Sequence, residues 1–253
     1  MWRLNDLWQS VARRQAIPDN LWLPALAQLP YCQALDQHAQ ARLRELTNSF
    51  VHAKTFEGAA GLILTDAMRV RIAMQACVLI LNLDLSSYDG WQAVILYPGD
   101  FRVDKEEVDE TGVVHRWQED LSGEAWEQGP VILSWDTVAA PSDGRTNIVL
   151  HEFAHKLDMR NGRADGLPLL PKGISIKDWA RDFEAAYLAF CHRLDHDQPV
   201  RIDDYAAESP AEFFAVLSEA FFLSPKIVQA DFPKLYRHLT AFYLQDPLLV
   251  MPG

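Results

Sequence analysis

The chain has 253 residues, of which 49% are hydrophobic and 23% charged; this composition is typical of globular proteins and excludes a disordered or fibrous chain. Its 23 basic and 35 acidic residues give a formal net charge of −12, so we expect neither nucleic acid nor an anionic membrane as a partner. No stretch approaches the roughly 20 apolar residues that span a bilayer, no secretory segment is recognisable, and the three cysteines form no C-x-x-C pair. These features predict a cytoplasmic protein without a disulfide framework.

The predicted elements begin with a helical N-terminal region at 1–60. Its short helices are expected to break at three prolines: Pro18, Pro24 and Pro30. A stronger helical stretch follows at 36–51, and Thr65 can cap a helix that runs to about Asn82.

The middle third of the chain changes to β-branched and aromatic runs bounded by turn residues, which predict strands. The predicted strands are 93–97, 113–117 and 131–135. The acidic segment 104–110 between them is predicted as a solvated loop.

The last third returns to helical patterns. The predicted helices are 145–159, 177–193, 210–223 and 232–245, with a Gly- and Pro-rich loop from about 162 to 175. The order of helices, then strands, then helices indicates an α+β fold that is mainly helical, with a small sheet preceding the helix at 145–159. No change in composition marks a boundary, so we expect a single domain over 1–253, with 61–253 as its core.

The most informative motif is His151-Glu-Phe-Ala-His155, an H-E-x-x-H pattern on a predicted helix. Residues four apart share a helix face, so both imidazoles can reach one metal ion. Glu152 projects from nearly the same side and is placed to act as general base toward the attacking water. The alternative, two surface histidines, conflicts with the apolar residues around the motif.

A catalytic zinc usually has three protein ligands, so a third is expected downstream of the motif. The residues at 158 and 161 do not match the extended metzincin pattern, which requires Gly and His there. The acidic candidates are Asp158, Asp165, Glu184, Glu208, Glu212 and Glu219.

Glu212 is favoured as this ligand because it lies on a helix that is apolar almost all round. Glu219 lies two turns further on the same stripe and could orient a ligand histidine, or it could pair with a lysine or arginine. Glu212 also has an alternative role, since Ser209-Pro-Ala-Glu212 fits a helix capping box. Another i, i+4 histidine pair, His192 and His196, has no adjacent glutamate and is interpreted as a solvated helix end.

These motifs resemble the Mlc titration factor A family of bacterial zinc metallopeptidases. The resemblance covers about 60–248 and is strongest in two blocks, 151–162 and 205–222. Shorter matches are Leu96-Tyr-Pro-x-x-Phe101, Gly112-Val-Val-His115, Gly129-Pro-Val-Ile-Leu-Ser-Trp135 and Phe242-Tyr-Leu-Gln-Asp-Pro247. The fold it implies is zincin-like, with a core similar to the lethal-factor metalloprotease domain.

The resemblance also implies roles for individual residues. His151, His155 and Glu212 would bind Zn²⁺, and Tyr205 would donate a hydrogen bond to the oxyanion of the tetrahedral intermediate. His115 would approach the zinc and fill the position that water needs, leaving the enzyme latent, whereas its sequence context alone indicates a strand-surface histidine.

The family is further associated with weak aminopeptidase-type activity on peptide substrates and with binding Mlc, a repressor of glucose-uptake genes. The sequence therefore predicts a zinc metallopeptidase in which a strand before the active helix, 131–135, pairs with the extended substrate. The competing hypothesis is a non-catalytic regulator that sequesters the repressor and has a structural zinc site.

Overall fold

The computed structural model describes residues 16–108, 114–126, 129–141 and 144–251, with the backbone alone at 102–108 and 114–120. The described chain is mainly helical with a small sheet, as the sequence predicts. None of the helices in the described ranges is both long and apolar enough to cross a membrane.

The first four helices form one side of the core. They are α1 (Asp19–Leu26), α2 (Pro30–Ala34), α3 (Gln37–Ala53) and α4 (Asp66–Leu79). The expected break at Pro24 is wrong, because Pro24 lies inside α1. Its missing N–H leaves the carbonyl of Asn20 without a helical donor, and because Asn20 is an exposed residue, water can take the place of that donor. Thr65 caps α4 as predicted, accepting a hydrogen bond from the Met68 N–H.

A four-stranded sheet lies beside these helices. Its strands, in spatial order, are β1 (Thr55–Gly58), β2 (Ala93–Tyr97), β6 (Val131–Ser134) and β5 (Gly123–Ala125). The β1–β2 and β2–β6 pairs are parallel and the β5–β6 pair is antiparallel. The strands predicted at 93–97 and 131–135 are confirmed, while β1 and β5 were not predicted.

Strands β3 (Phe101–Val108) and β4 (Val114–Leu121) form a separate antiparallel hairpin. The prediction of a loop from residue 104 is therefore wrong as far as residue 108. In the register of the hairpin, Arg102 lies opposite Asp120 and Glu106 opposite Arg116. Opposite charges across the ladder favour strand pairing, and the acidic run alone does not reveal these partners.

The remaining helices enclose the other side of the core. They are α5 (Trp135–Ala139), α6 (Ile148–Asp158), α7 (Ile176–Asp195), α8 (Pro210–Leu223), α9 (Pro225–Asp231), α10 (Pro233–Tyr243) and α11 (Pro247–Val250). Short 3₁₀ turns occupy Leu85–Tyr88, Met159–Asn161 and Asp204–Ala207. The predicted helices at 177–193, 210–223 and 232–245 correspond to α7, α8 and α10.

Helices α6 and α8 are the most deeply buried in the described chain, and their contacts fix the site. Phe153 of α6 packs edge-on against Tyr88 and Trp91 at ring distances of 5.3 and 5.7 Å. Phe222 of α8 packs against Tyr31 of α2 at 5.3 Å and Tyr243 of α10 at 5.1 Å. Aromatic contacts with distant parts of the chain therefore hold both helices in place.

Candidate metal centre

The helix that carries the H-E-x-x-H motif begins later than the sequence predicts. Asn147 is its N-cap, and its side-chain Oδ1 accepts a hydrogen bond of 3.0 Å from the Leu150 N–H. The predicted start at residue 145 is wrong because asparagine, a strong N-cap residue, satisfies the first free N–H groups at this position. His151 therefore lies in the first turns of α6, and His155 one turn later on the same face.

The structure brings His151, His155 and Glu212 together. The Nε2 atom of His151 lies 2.9 Å from Oε2 of Glu212 and 3.1 Å from Nε2 of His155. The Nε2 atom of His155 lies 3.2 Å from the same oxygen of Glu212. These atoms form the cluster of possible metal ligands found in the described residues.

The donor set fits a tetrahedral metal ion. Nitrogen and oxygen ligands about 2.0–2.2 Å from zinc lie roughly 3.3–3.6 Å apart, so the observed triangle needs only slight expansion. The Nδ1 atom of His151 lies 2.7 Å from Oε1 of Glu219, which can only accept when ionised, so Nδ1 carries the proton. A metal ion that replaces the Nε2 proton of His151 would be bound by His151, His155 and Glu212 together.

Glu219 is placed as an orienting group for His151. Besides its contact with Nδ1, its Oε2 accepts a hydrogen bond of 2.5 Å from the Asn147 N–H. The Asn147 side chain in turn donates to Gln75 of α4 at 2.7 Å. The partners found for its two oxygens are therefore the His151 ring and the Asn147 backbone, which is the orienting role and not the alternative of pairing with a lysine or arginine.

Glu212 takes part in the helix cap through its backbone, while its side chain faces the two histidines. The Glu212 N–H donates to the Ser209 hydroxyl at 3.1 Å, so Ser209 does cap α8. The Glu212 carboxylate does not return to the cap but lies against His151 and His155. The same residue can therefore continue the helix and offer a ligand.

The histidines and carboxylates of the cluster stabilise each other's charged forms and so shift each other's pKa values. Burial lowers the pKa of the His151 imidazole, but the carboxylates of Glu212 and Glu219 outweigh it and raise that pKa well above its ordinary value. Burial raises the pKa of the Glu212 carboxyl, but its hydrogen bonds to the two histidines hold it well below its ordinary value. The site thus favours an ionised Glu212 beside positive charge.

Glu152 lies beside the cluster and is almost fully buried. Burial, with the neighbouring carboxylates of Glu212, Glu219 and Glu124, raises its pKa to about 8, although the charge of His151 opposes this. A carboxyl whose pKa is close to neutrality is suited to exchange protons during a reaction. The structure therefore places a candidate general base next to the candidate ligands.

These side chains open into a cleft of about 600 Å³. Tyr205 lines the cleft in the 3₁₀ turn before α8, and 41% of its surface is exposed. Its ring centroid lies 6.1 Å from that of His151. The tyrosine is thus on the side from which a substrate would approach the cluster.

The other acidic candidates do not join the cluster, and the prediction for His115 lies outside the described side chains. The backbone of His115 lies in β4 opposite Glu107, and its side chain lies outside the described part of the structure. Asp158 is buried and its Oδ2 accepts a hydrogen bond of 2.8 Å from the Gly166 N–H. The remaining acidic candidates are exposed: Asp165, Glu184 and Glu208. His192 and His196 are exposed with stacked rings 4.1 Å apart, as expected of a solvated helix end.

The strand that borders the cleft is β5 and not β6. Because β6 is paired with β2 on one side and β5 on the other, the prediction that 131–135 pairs with substrate is wrong. In the described sheet β5 is the outer strand, and its three residues, Gly123–Ala125, line the cleft. The sequence did not predict β5 because it is short and lacks alternating hydrophobicity.

Comparison with known proteins supports a metal-dependent function. The sequence profile of the glucose-regulated metallo-peptidase M90 family matches residues 2–244. Mlc titration factor A of Serratia proteamaculans is 40% identical over 231 residues, which cover 90% of this chain and 87% of the relative. The proteins of the same name from Escherichia fergusonii and Salmonella arizonae are 38% and 39% identical, covering 98% and 97% of this chain and 92% and 96% of theirs.

Proposed function

Because the chain belongs to the glucose-regulated metallo-peptidase M90 family, we propose that it is a zinc-dependent metallopeptidase that hydrolyses peptide bonds, with the aminopeptidase-type activity that the resemblance implies. The observation that carries the proposal is the convergence of His151, His155 and Glu212 beside the buried carboxyl of Glu152. A purely structural metal site has no need of a glutamate directly after its first histidine. We assign this activity to a single zincin-like domain of a cytoplasmic protein, with 61–253 as its catalytic core.

His151, His155 and Glu212 would hold the zinc. When bound, zinc supplies Lewis-acid polarisation of the scissile carbonyl and lowers the pKa of water. Glu219 accepts the hydrogen bond of His151 Nδ1 and so leaves Nε2 as the ring nitrogen that faces the metal position. The three ligands leave one side of the site open to the cleft, where the substrate carbonyl can lie.

Glu152 would act as general base and then as general acid. Its carboxylate accepts a proton from the attacking water and passes it to the leaving amine. Its burial keeps competing water away from the proton, and the cationic surroundings of a loaded site favour its ionised form. Tyr205, exposed at the cleft, would donate its phenolic hydrogen to the oxyanion that forms as the carbonyl is attacked.

His115 would be a fourth zinc ligand that makes the isolated enzyme latent. This role depends on the hairpin of β3 and β4 reaching the cleft, and β4 ends at Leu121, which lines it. His115→Ala is expected to gain peptidase activity and retain its zinc. A variant that retains zinc without gaining activity would contradict the latent state.

Zinc content and peptidase activity together test the main proposal. We expect about one zinc per chain in protein purified without added metal, and hydrolysis of unstructured peptides after zinc loading. Glu152→Gln should retain the zinc and lose the hydrolysis, because the amide cannot accept the proton. Activity that persists in this variant, or no zinc after reloading, would overturn the mechanism.

A regulatory role through the repressor Mlc is the second proposal. Its support is the name Mlc titration factor A carried by relatives that are 38–40% identical over most of the chain. We propose that the chain binds Mlc through a surface separate from the peptidase chemistry. Calorimetric titration of Mlc should give the same dissociation constant for wild type and Glu152→Gln.

The alternative is a non-catalytic regulator with a structural zinc site. It predicts the same Mlc binding but no hydrolysis under any condition, and it also predicts that chelation of zinc unfolds the binding surface. If the zinc-loaded protein binds Mlc and cleaves none of the peptides tested, this alternative replaces the peptidase proposal.

A further inference from the structure

A second cavity, of about 230 Å³, lies beside the metal cleft at the start of α6. The two cavities meet at Thr137, Thr146 and Ile148, which line both. Their charges differ in sign. The described lining of the cleft has five acidic side chains and no lysine or arginine, whereas that of the second cavity has one basic side chain, Arg71, and no acidic one. The second cavity is therefore a candidate anion site.

Arg71 lies half-buried on α4 and has no counter-ion among the described residues. Its Nε atom is buried and finds no described acceptor. The guanidinium lies over the ring of Trp135, with 5.8 Å between Cζ and the ring centroid. Burial lowers the pKa of Arg71 below its ordinary value. An anion in the cavity would gain a charge-assisted hydrogen bond here without first displacing a carboxylate of the protein.

Gln75 lies one turn after Arg71 on the same face of α4 and is 3% exposed. Its Oε1 accepts a hydrogen bond of 2.7 Å from Nδ2 of Asn147. Both amide orientations are fixed, because Oδ1 of Asn147 accepts the Leu150 N–H. Nε2 of Gln75 is therefore a donor, and within the described chain nothing accepts from it. Because Gln75 lines the cavity, an oxygen of a ligand can satisfy this donor.

The rest of the lining limits the size and charge of the ligand. Ile148 and Val149 add the positive end of α6, whose first N–H groups favour an anion. Val138, Ala140 and Pro141 offer apolar surface to a short hydrocarbon chain. The single guanidinium balances one negative charge, whereas a doubly charged phosphate ester would keep one charge unpaired. The volume is below the roughly 300–1,000 Å³ of typical ligand sites, which favours a small molecule.

We propose that this cavity binds a small aliphatic monocarboxylate whose oxygens accept hydrogen bonds from Arg71 and Gln75. A free organic acid and the carboxyl end of a peptide share this chemistry. The inference goes beyond the proposed peptidase function and does not depend on it, since neither residue is a candidate metal ligand or general base.

Calorimetric titration of the zinc-loaded protein with butyrate, in Tris chloride buffer without other oxyanions, tests the site. Butyramide is the neutral probe of the same shape, and we expect butyrate to bind at least 10-fold more tightly. Arg71→Gln should weaken butyrate binding at least 10-fold. Gln75→Glu keeps an oxygen for Asn147 but replaces the donor by an acceptor, so it should weaken binding as much. Zinc content and circular dichroism show whether each variant is folded.

Two further variants provide controls. Arg69→Gln removes a cation from the same helix that pairs with Asp66 at 2.9 Å and does not line the cavity, so it should leave butyrate binding unchanged. Arg71→Lys keeps the charge and should retain part of the affinity. Competition with acetyl-alanyl-alanine and with its amide distinguishes the two sources. Displacement of butyrate by the acid alone assigns the site to peptide carboxyl ends, and no displacement by either assigns it to free acids.

The opposite results would reject the site. Absence of butyrate binding, equal binding of butyrate and butyramide, or an affinity that survives Arg71→Gln would overturn the inference. Tighter binding of butyl phosphate than of butyrate would overturn the assignment to a monocarboxylate. None of these measurements involves hydrolysis, so the result for this cavity and the result for the peptidase proposal are independent.

Discussion

The backbone of Gly123 lies against the carboxyl of Glu152, because a Cβ atom at Gly123 would be 2.5 Å from Oε1 of Glu152. The same Cβ would lie 2.7 Å from two side-chain carbons of Ile148, at the start of α6. Contacts this short force a neighbour to move. The outer strand of the sheet can therefore approach the glutamate of the H-E-x-x-H motif only through a residue without a side chain.

We expect Gly123→Ala to displace Glu152 or strand β5 and to reduce peptidase activity about 100-fold, since small misplacements of catalytic groups are costly. Overpacking should also lower the free energy of unfolding by about 1–3 kcal/mol. The zinc content should not change, because the three atoms nearest to the added Cβ belong to Glu152 and Ile148 and not to a ligand. Gly99→Ala is the control, since its Cβ would meet only an Asp136 oxygen at 3.2 Å, outside the cleft. Equal activity of the two variants would contradict the argument.

The parts of this site that lie on long helices could be predicted from the sequence. His151 and His155 are spaced by one turn, and Glu212 stands out on a helix whose other residues are almost all apolar. Such patterns are local, because they depend on the period of a single helix. Each of the three residues can therefore be recognised from the pattern of its own helix, and the structure brings their side chains together.

The edge of the cleft could not be predicted in this way. Strand β5 has three half-buried residues, too few to show alternation, and its identity as the outer strand depends on pairing with β6. Strand β4 overlaps the strand predicted at 113–117, but β3 was missed because its acidic run is typical of a loop and its pairing with β4 is not visible in that run. Both β5 and β3 therefore become evident only from their pairing with another strand.

The contact between His151 and Glu219 predicts a change in zinc affinity. Glu219→Gln keeps the shape of the side chain but removes its charge, and one of its two oxygens no longer accepts a hydrogen bond. We expect zinc affinity, measured by competition with a chelator, to fall about 10- to 100-fold. Glu208→Gln, at an exposed acid close to α8 in sequence, should leave the affinity unchanged. An unaltered dissociation constant in Glu219→Gln would show that Glu219 does not orient His151.

A close backbone contact positions the helix that carries Glu212. Gly166 has a φ of +76°, and a Cβ atom there would lie 2.7 Å from the carbonyl oxygen of Pro210 at the start of α8. Gly173 has a φ of +99° with nothing within 4 Å of its Cβ position. An alanine there therefore measures the cost of the backbone conformation without any steric contact. We expect Gly173→Ala to cost about 1–2 kcal/mol in urea unfolding and Gly166→Ala about 1–3 kcal/mol more. Only Gly166→Ala should also weaken zinc binding, and equal effects of the two substitutions would rule out the positioning contact.

Asp158 is a buried carboxyl at the end of α6. Burial raises its pKa to about 7, although the hydrogen bond from Gly166 and the charge of His155 act in the opposite direction. Because the folded protein then holds this proton more tightly than the unfolded chain, Asp158 stabilises the fold at pH below about 4. That contribution is lost as the pH rises through about 7.

Asp158→Asn removes this titration while its amide oxygen can still accept the Gly166 N–H. The stability of the variant relative to wild type should therefore rise between pH 4 and pH 8, by roughly 4 kcal/mol at most. Urea unfolding of both proteins, with a chelator present so that metal binding does not contribute, measures this difference. Other titrating groups are common to the two proteins and cancel in the comparison. A difference that is the same at pH 4 and pH 8 would mean that Asp158 is ionised in the folded protein over the whole range, with a donor supplied to its buried Oδ1 atom.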